Sequence, residues 1–268
     1  MIFDGRAFAR DRVEQLKLST KQLATPLRVN FIFFEGNQAG EMFVKLKAKL
    51  AEEIGVKATT DCWPTNLSAL EVKTKLSQMG GDPSVDGIVL QLPLPKGLTK
   101  RTQEILDTIP IAKDIDGLAT GSCFQPAVVR AVMTVIDHFK LIKPETITAV
   151  VGAMGWVGQR MVQALKNEGL RVIEIDKDTE SKLKDTKQAD LIVSCTGQPS
   201  LITEDLVKTG AVVFDLGVMQ VDQEGKKTGG DVDFERVASK AKFITPVPGG
   251  IGPVTVVSLF ENLVEQKG

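Results

Sequence analysis

Apolar, β-branched runs alternate with helical stretches along this chain, and that alternation restricts its fold more than any other feature. "LRVNFIFF" (27–34) and "VDGIVLQLPLP" (85–95) read as buried strands, and "EMFVKLKAKLAEEIG" (41–55) reads as a helix stopped at Gly55. Such a series folds as parallel sheets covered by helices. The helical stretch "PAVVRAVMTVIDHFKLIK" (126–143) divides it, and "ITAVVGAMGWVGQRMVQALKNEGLRVIEID" (147–176) then starts a new strand–turn–helix–strand unit. "ADLIVSCTG" (189–197), "AVVFDLGV" (211–218) and "AKFITPVP" (241–248) continue it as strands. With 268 residues the chain has length for two domains. We expect an α/β fold with one domain at 1–141 plus 247–268 and a second at 142–246, the helix after Pro253 returning to the first half.

The second domain carries a glycine signature. In "VVGAMGWVG" a β-branched run leads through Gly152, Gly155 and Gly158 into a helix. Glycines at such a turn let the backbone meet a pyrophosphate, whose charge suits a helix amino terminus, as in a Rossmann-like doubly wound nucleotide-binding domain. The next strand ends at Asp176, which reads either as a solvated strand end or as an acceptor for an adenosine ribose. As an acceptor its carboxylate would repel a 2′-phosphate, favouring NAD, with NADP as the other option. The candidate cofactor contacts are Gly152, Ala153, Met154, Gly155, Gly158, Asp176, Thr196, Gly197 and Val218.

Composition removes several classes of function. The net charge of −1 offers no basic field for nucleic acid. No apolar run approaches the roughly 18 residues that a membrane helix needs. Asp4 and three arginines interrupt the amino terminus, so we expect no signal peptide and a cytoplasmic protein. Cys62, Cys123 and Cys195 lack metal-site spacing, and the single histidine, His138, reads as a helix-end residue, so no metal is expected.

Four features invite a ligand. "TPVPGGIGPVTV" sets three prolines and three glycines between Pro246 and Pro253, either as a helix-start turn or as a stiff loop for close approach to a ligand. Phe43 and Lys47 share a helix face. Gln91 interrupts the apolar "IVLQLPLP", between Leu90 and Leu92. Asp116 lies in "KDIDG", a turn signature with two carboxylates beside Gly117. Taken singly, Lys47 is a surface lysine, Gln91 a strand-end cap and Asp116 a turn residue.

Together with "FDGRAFA", "FVKLKAKLAEEIG", "DGIVLQLPLP", "GDVDF" and "ENLV", these motifs occur in the order found in the bifunctional methylenetetrahydrofolate dehydrogenase/cyclohydrolases, which the chain resembles from near residue 3 to near residue 264. The resemblance implies that residues 1–141 and 247–268 form a folate-binding catalytic domain and 142–246 a Rossmann-like NAD(P)-binding domain, with the cleft between them holding folate against nicotinamide. It gives Lys47, Gln91 and Asp116 the catalytic positions, Lys47 as the family's lysine and Asp116 as its pterin-binding aspartate. The folate site is lined by Phe43, Lys47, Leu90, Gln91, Leu92, Asp116 and the loop Pro248, Gly249, Gly250, Ile251 and Gly252. The substrate implied is a tetrahydrofolate derivative and the assembly a homodimer. A pterin presents an amide N–H beside an amino group, which one carboxylate can accept as a pair. A lysine kept partly neutral by burial would suit the proton transfers of hydrolysis.

Three departures matter. The family's tyrosine is Phe43 here, in a chain with no tyrosine. The loop "LATGSCFQP" before Pro126 is short, and Ala153 and Met154 replace residues that could bind phosphate. These weigh more against hydrolysis than against oxidation, and leave a shikimate-type dehydrogenase or a catalytically silent binding protein as alternatives.

Overall fold

The computed structural model describes residues 1–176, 183–218, 220–221 and 227–266. Contacts divide the chain into two units: unit 1 is Met1–Ala9 with Val128–Thr255, and unit 2 is Arg10–Ala127 with Val256–Gly268.

Unit 2 follows α1 (Gly5–Lys21, from Arg10 on) with β1 (Arg28–Phe34), α2 (Gln38–Glu53), β2 (Lys57–Trp63), α3 (Ala69–Gly81), β3 (Gly87–Leu90) and the short α4 (Thr102–Leu106). Its three strands are parallel in the order β2-β1-β3, with Val29 opposite both Ala58 and Gly87. The central strand is apolar and buried at Phe31, Ile32 and Phe34. The edge strand "KATTDCW" is largely exposed, and its polar composition kept it out of the sequence reading. Side-chain caps hold the helix starts: Asn37 Oδ1 accepts the Gly40 N–H at 2.9 Å, and Ser68 and Glu71 form a reciprocal pair. Gly55, at φ +75°, ends α2 as expected, with Val56 N–H donating to Ala51 O.

Unit 1 contains α5 (Ala127–Phe139, from Val128 on), β4 (Ile147–Val151), α6 (Trp156–Asn167), β5 (Arg171–Ile175), β6 (Leu191–Ser194), β7 (Val212–Asp215), the hairpin β8 (Gln220–Val221) and β9 (Lys227–Thr228), α7 (Phe234–Ala238) and β10 (Phe243–Ile244). Five strands run parallel in the order β10-β7-β6-β4-β5. Alternate residues feed two cores: Val150, Leu191, Val193 and Phe214 meet α5 and α6, while Ala149, Val151, Ile192 and Val213 meet Ile202 and Val237. The chain moves outward from β4 to β5 and then returns to place β6 on the other side of β4, so a topological switch point lies at the carboxyl ends of β4 and β6. The last helix, α8 (Ile251–Glu265), starts in unit 1 and belongs to unit 2 from Val256.

These units differ from the expected boundaries at three segments, each for a visible reason. Residues 1–9 join unit 1 because Met1 and Phe3 exchange backbone hydrogen bonds with Ile244, and the Phe3 ring meets Phe139 and Phe243. Residues 128–141 join it because Val129, Val132 and Ile136 pack into its core. Residues 247–255 join it through Ile251 and Val254. His138 lies in the last turn of α5, edge-on to Phe8.

Candidate active site

In unit 2, burial on α2 falls on Gly40, Val44, Lys47, Leu50 and Ala51, the spacing of one helical face. That face carries Lys47 inward, to 6% exposure, while Lys45 stays outside in an ion pair with Glu41. Burying an ammonium is costly unless partners replace water. Gln91, just past β3, supplies one: its Oε1 accepts from Lys47 Nζ at 3.0 Å. Its own amide donates to Leu92 O at 3.0 Å, fixing which end of the side chain faces the lysine. Asp116 Oδ2 lies 3.8 Å from the same Nζ, at ion-pair distance. The three residues expected to converge thus share one small site. Phe43 is half-buried one turn before Lys47, and Leu90 (buried) and Leu92 (half-buried) flank Gln91.

A second carboxylate, Asp114, is 1% exposed. Its Oδ2 accepts the Ala119 N–H at 2.8 Å, and burial pushes its carboxyl up to about 6. "KDIDG" announced two carboxylates, but which one turns inward was not legible in it. Gly117, at φ +70°, closes the turn where a Cβ would press on the Gln125–Pro126 backbone. Asn262 of α8, fully buried, also escaped the sequence reading; it donates to Ile115 O and Gln125 O at 2.9 and 3.0 Å.

In unit 1 the expected cofactor residues follow the carboxyl ends of β4, β5, β6 and β7. Gly152 follows β4 at φ +87°, and its N–H and that of Ala153 donate to Ile175 O. Gly155 opens α6 with no side-chain cap, leaving that helix start to backbone amides. A Cβ at Gly158 would lie 2.0 Å from Gly152 O, so the strand-to-helix turn is as tight as a pyrophosphate cradle requires. Met154 is exposed, Asp176 is half-buried at the end of β5, and Val218 is exposed beyond β7. Thr196 and Gly197 follow β6, with Gly197 at φ +69°. Cys195 between them and β6 donates its thiol to Val151 O, and burial pushes that thiol up to about 12.

Two aspartates missed in the sequence hold these loops. Asp231, of "GDVDF", accepts Ser194 Oγ at 2.9 Å and Thr196 N–H at 2.6 Å. Asp215, ending β7, accepts N–H groups from Gly217, Asp231 and Val232 at 2.8–3.0 Å, and burial pushes its carboxyl up to about 6. A carboxylate inside the apolar run "AVVFDLGV" was the available signal. The loop Pro248–Gly252 also lies in unit 1. Gly249, at φ +100°, accepts the Gly5 N–H through its carbonyl, and Pro253 falls in the first turn of α8. Among the described residues no helix is long and apolar enough to cross a membrane, and no cluster of three or more His, Cys, Asp or Glu could hold a metal ion.

Known proteins resemble this chain along nearly its whole length. Residues 3–116 match the model of the tetrahydrofolate dehydrogenase/cyclohydrolase catalytic domain, and residues 126–267 that of the same family's NAD(P)-binding domain. A bifunctional protein FolD of a Nitratiruptor species is 35% identical over 277 residues, covering 98% of this chain and 96% of the relative. The crystal structure of the bifunctional methylenetetrahydrofolate dehydrogenase/cyclohydrolase of Campylobacter jejuni superimposes with a TM-score of 0.89 at 34% identity, covering 99% and 98% of the two chains. The enzyme of Trypanosoma brucei, complexed with NADP and an inhibitor, gives 0.90 at 26% identity, covering 99% and 96%. The shikimate-type alternative therefore falls away, and the chain belongs to the tetrahydrofolate dehydrogenase/cyclohydrolase family.

Proposed function

We propose that the protein oxidises 5,10-methylenetetrahydrofolate to the 5,10-methenyl form by hydride transfer to NAD(P), and hydrolyses that product to 10-formyltetrahydrofolate. The observation that carries the reading is the buried Lys47 ammonium, bonded to Gln91 and beside Asp116. Bound nicotinamide supplies the hydride acceptor. The cation left on the one-carbon bridge is shared by its two nitrogens, so oxidation asks the protein mainly for positioning. Asp116, partly exposed beside the lysine, is suited to accept the paired pterin N–H groups. Leu90, Leu92 and Phe43 offer apolar surface around it.

Hydrolysis asks for more. Water adds to the methenyl carbon, one carbon–nitrogen bond breaks, the released nitrogen keeps a proton and one proton leaves to solvent. Lys47 is the group placed to pass that proton, with Gln91 orienting its Nζ. The ring of Phe43 can pack on the substrate but brings no hydroxyl to this step.

In unit 1, Gly152, Gly155 and Gly158 with the open start of α6 fit a pyrophosphate, and Thr196, Gly197 and Val218 border the same strand ends. We assign a preference for NAD over NADP, because Asp176 brings a carboxylate to the end of β5 and neither Ala153 nor Met154 offers a phosphate donor. A homodimer in the cytoplasm completes the reading, the dimer on family likeness alone. The test is nicotinamide reduction by purified protein given methylenetetrahydrofolate with NAD or with NADP, followed by decay of the methenyl product. No reduction with either cofactor overturns the function, and a clear NADP preference overturns the role given to Asp176.

A further inference from the structure

Asp116 can read a pterin only if its backbone is fixed, and the groups that fix it come from the far end of the chain. Asn262 lies in α8 among Leu259, Phe260 and Leu263, all fully buried, where an amide costs stability unless its hydrogen bonds are made. Its Nδ2 donates to two carbonyls, Ile115 O at 2.9 Å and Gln125 O at 3.0 Å. The first immediately precedes Asp116, and the second ends the loop that leaves it. Asp116 O in turn accepts the Ala127 N–H at 3.2 Å, and Asp114 ties the inside of the turn through the Ala119 N–H. A leucine would satisfy the apolar surroundings of position 262. Only a side chain with two N–H donors can tie both ends of the Asp116 loop from one point.

We infer that Asn262 is a positioning residue for folate recognition, setting the angle at which Asp116 meets the pterin. This rests on the reading of Asp116 as the pterin-binding carboxylate. Both bonds of its Nδ2 end on backbone carbonyls flanking the Asp116 loop, so it acts through Asp116 and not on the substrate.

The experiment is a double-variant cycle on the full-length protein, measuring KM for methylenetetrahydrofolate, KM for NAD(P) and kcat, with thermal melting to verify folding. Asn262→Leu is expected to raise the folate KM about tenfold, the scale of one misplaced charge-assisted hydrogen bond, while the NAD(P) KM stays within about twofold. In an Asp116→Asn background the same change should add little, because the group it aims is already gone. Asn262→Ala removes both donors without placing a charge in the core, and should reproduce the folate effect if Asn262→Leu does not fold. An unchanged folate KM in the folded variant, an equal rise in both KM values, or full additivity with Asp116→Asn overturns the inference. If Asp116→Asn alone leaves the folate KM unchanged, the fault lies in the reading of Asp116, and the clamp falls with it.

Discussion

Each unit sets aspartates close to its candidate ligand, and those nearest it are settled differently. In unit 2 Asp116 faces an ammonium, Lys47, and the groups aimed at the ligand are side chains. In unit 1 Asp215 and Asp231 accept backbone N–H and hydroxyl groups, and what they hold is mostly backbone, at Thr196, Gly217, Asp231 and Val232. The difference follows from the two ligands. Proton transfer and recognition of a pterin edge need groups that ionise and point. A pyrophosphate needs amides at close approach, and the carboxylates there serve to hold loops still.

The comparison would break most visibly at Lys47. Lys47→Met should lower hydrolysis of the methenyl product by about 10²–10⁴-fold, the usual worth of a positioned acid/base, and lower hydride transfer far less. Intact hydrolysis would make Lys47 a structural residue and erase the contrast. On the backbone side, Gly158→Ala drives a Cβ toward Gly152 O. It should raise the NAD(P) KM by at least about tenfold and cost about 1–3 kcal/mol of stability, with the folate KM little changed. A normal cofactor KM would show that the turn is not the cradle.

Much of this was legible in the sequence because the signals were local. Gly55, Gly152 and Gly158 announced their turns, and Gln91 stood out as an amide in an apolar strand. The helix face shared by Phe43 and Lys47 was implied by their spacing, but not that it buries Lys47, because three nearby lysines, at 45, 47 and 49, look alike in one dimension. What escaped depends on distant partners. β2 is a polar edge strand that exists because β1 offers it hydrogen bonds. Residues 1–9 join unit 1 because Ile244 and Phe243 await them far along the chain. Asn262 sits in the quoted "ENLV", but its role could not be read there, since its partners lie 147 and 137 residues away.

A smaller effect sharpens the contrast between the buried carboxylates themselves. Asp215 uses both oxygens on N–H donors, Oδ1 for Gly217 and Asp231 and Oδ2 for Val232. In Asp215→Asn an NH₂ must face one of those N–H groups, and thermal or urea unfolding should show a loss of about 1–3 kcal/mol. Asp114 accepts from backbone N–H groups at Ala119 and Leu118 and from the Ser122 hydroxyl; in Asp114→Asn that hydroxyl can turn to accept from the NH₂ while the oxygen stays on the backbone donors, so the loss near pH 7 should be smaller. Equal losses would mean that the two carboxylates are held alike.

The same pair predicts how stability responds to pH. Asp114 has an ordinary value of 3.8 and is pushed up to about 6 in the folded protein, so the folded state holds a proton that the unfolded chain has released. The stability linked to that proton is fully present below about pH 4 and is lost as pH rises through about 6, where an unprotonated carboxylate is left buried. A rise of that size corresponds to on the order of 3 kcal/mol. Asp114→Asn removes the titration. The gap in unfolding free energy between the wild-type protein and this variant should therefore shift in the variant's favour between pH 4 and 6 and then level off. A gap that is flat across that window would place the Asp114 carboxyl at its ordinary value, and would mean that water, not the closed turn beside Asp116, surrounds it.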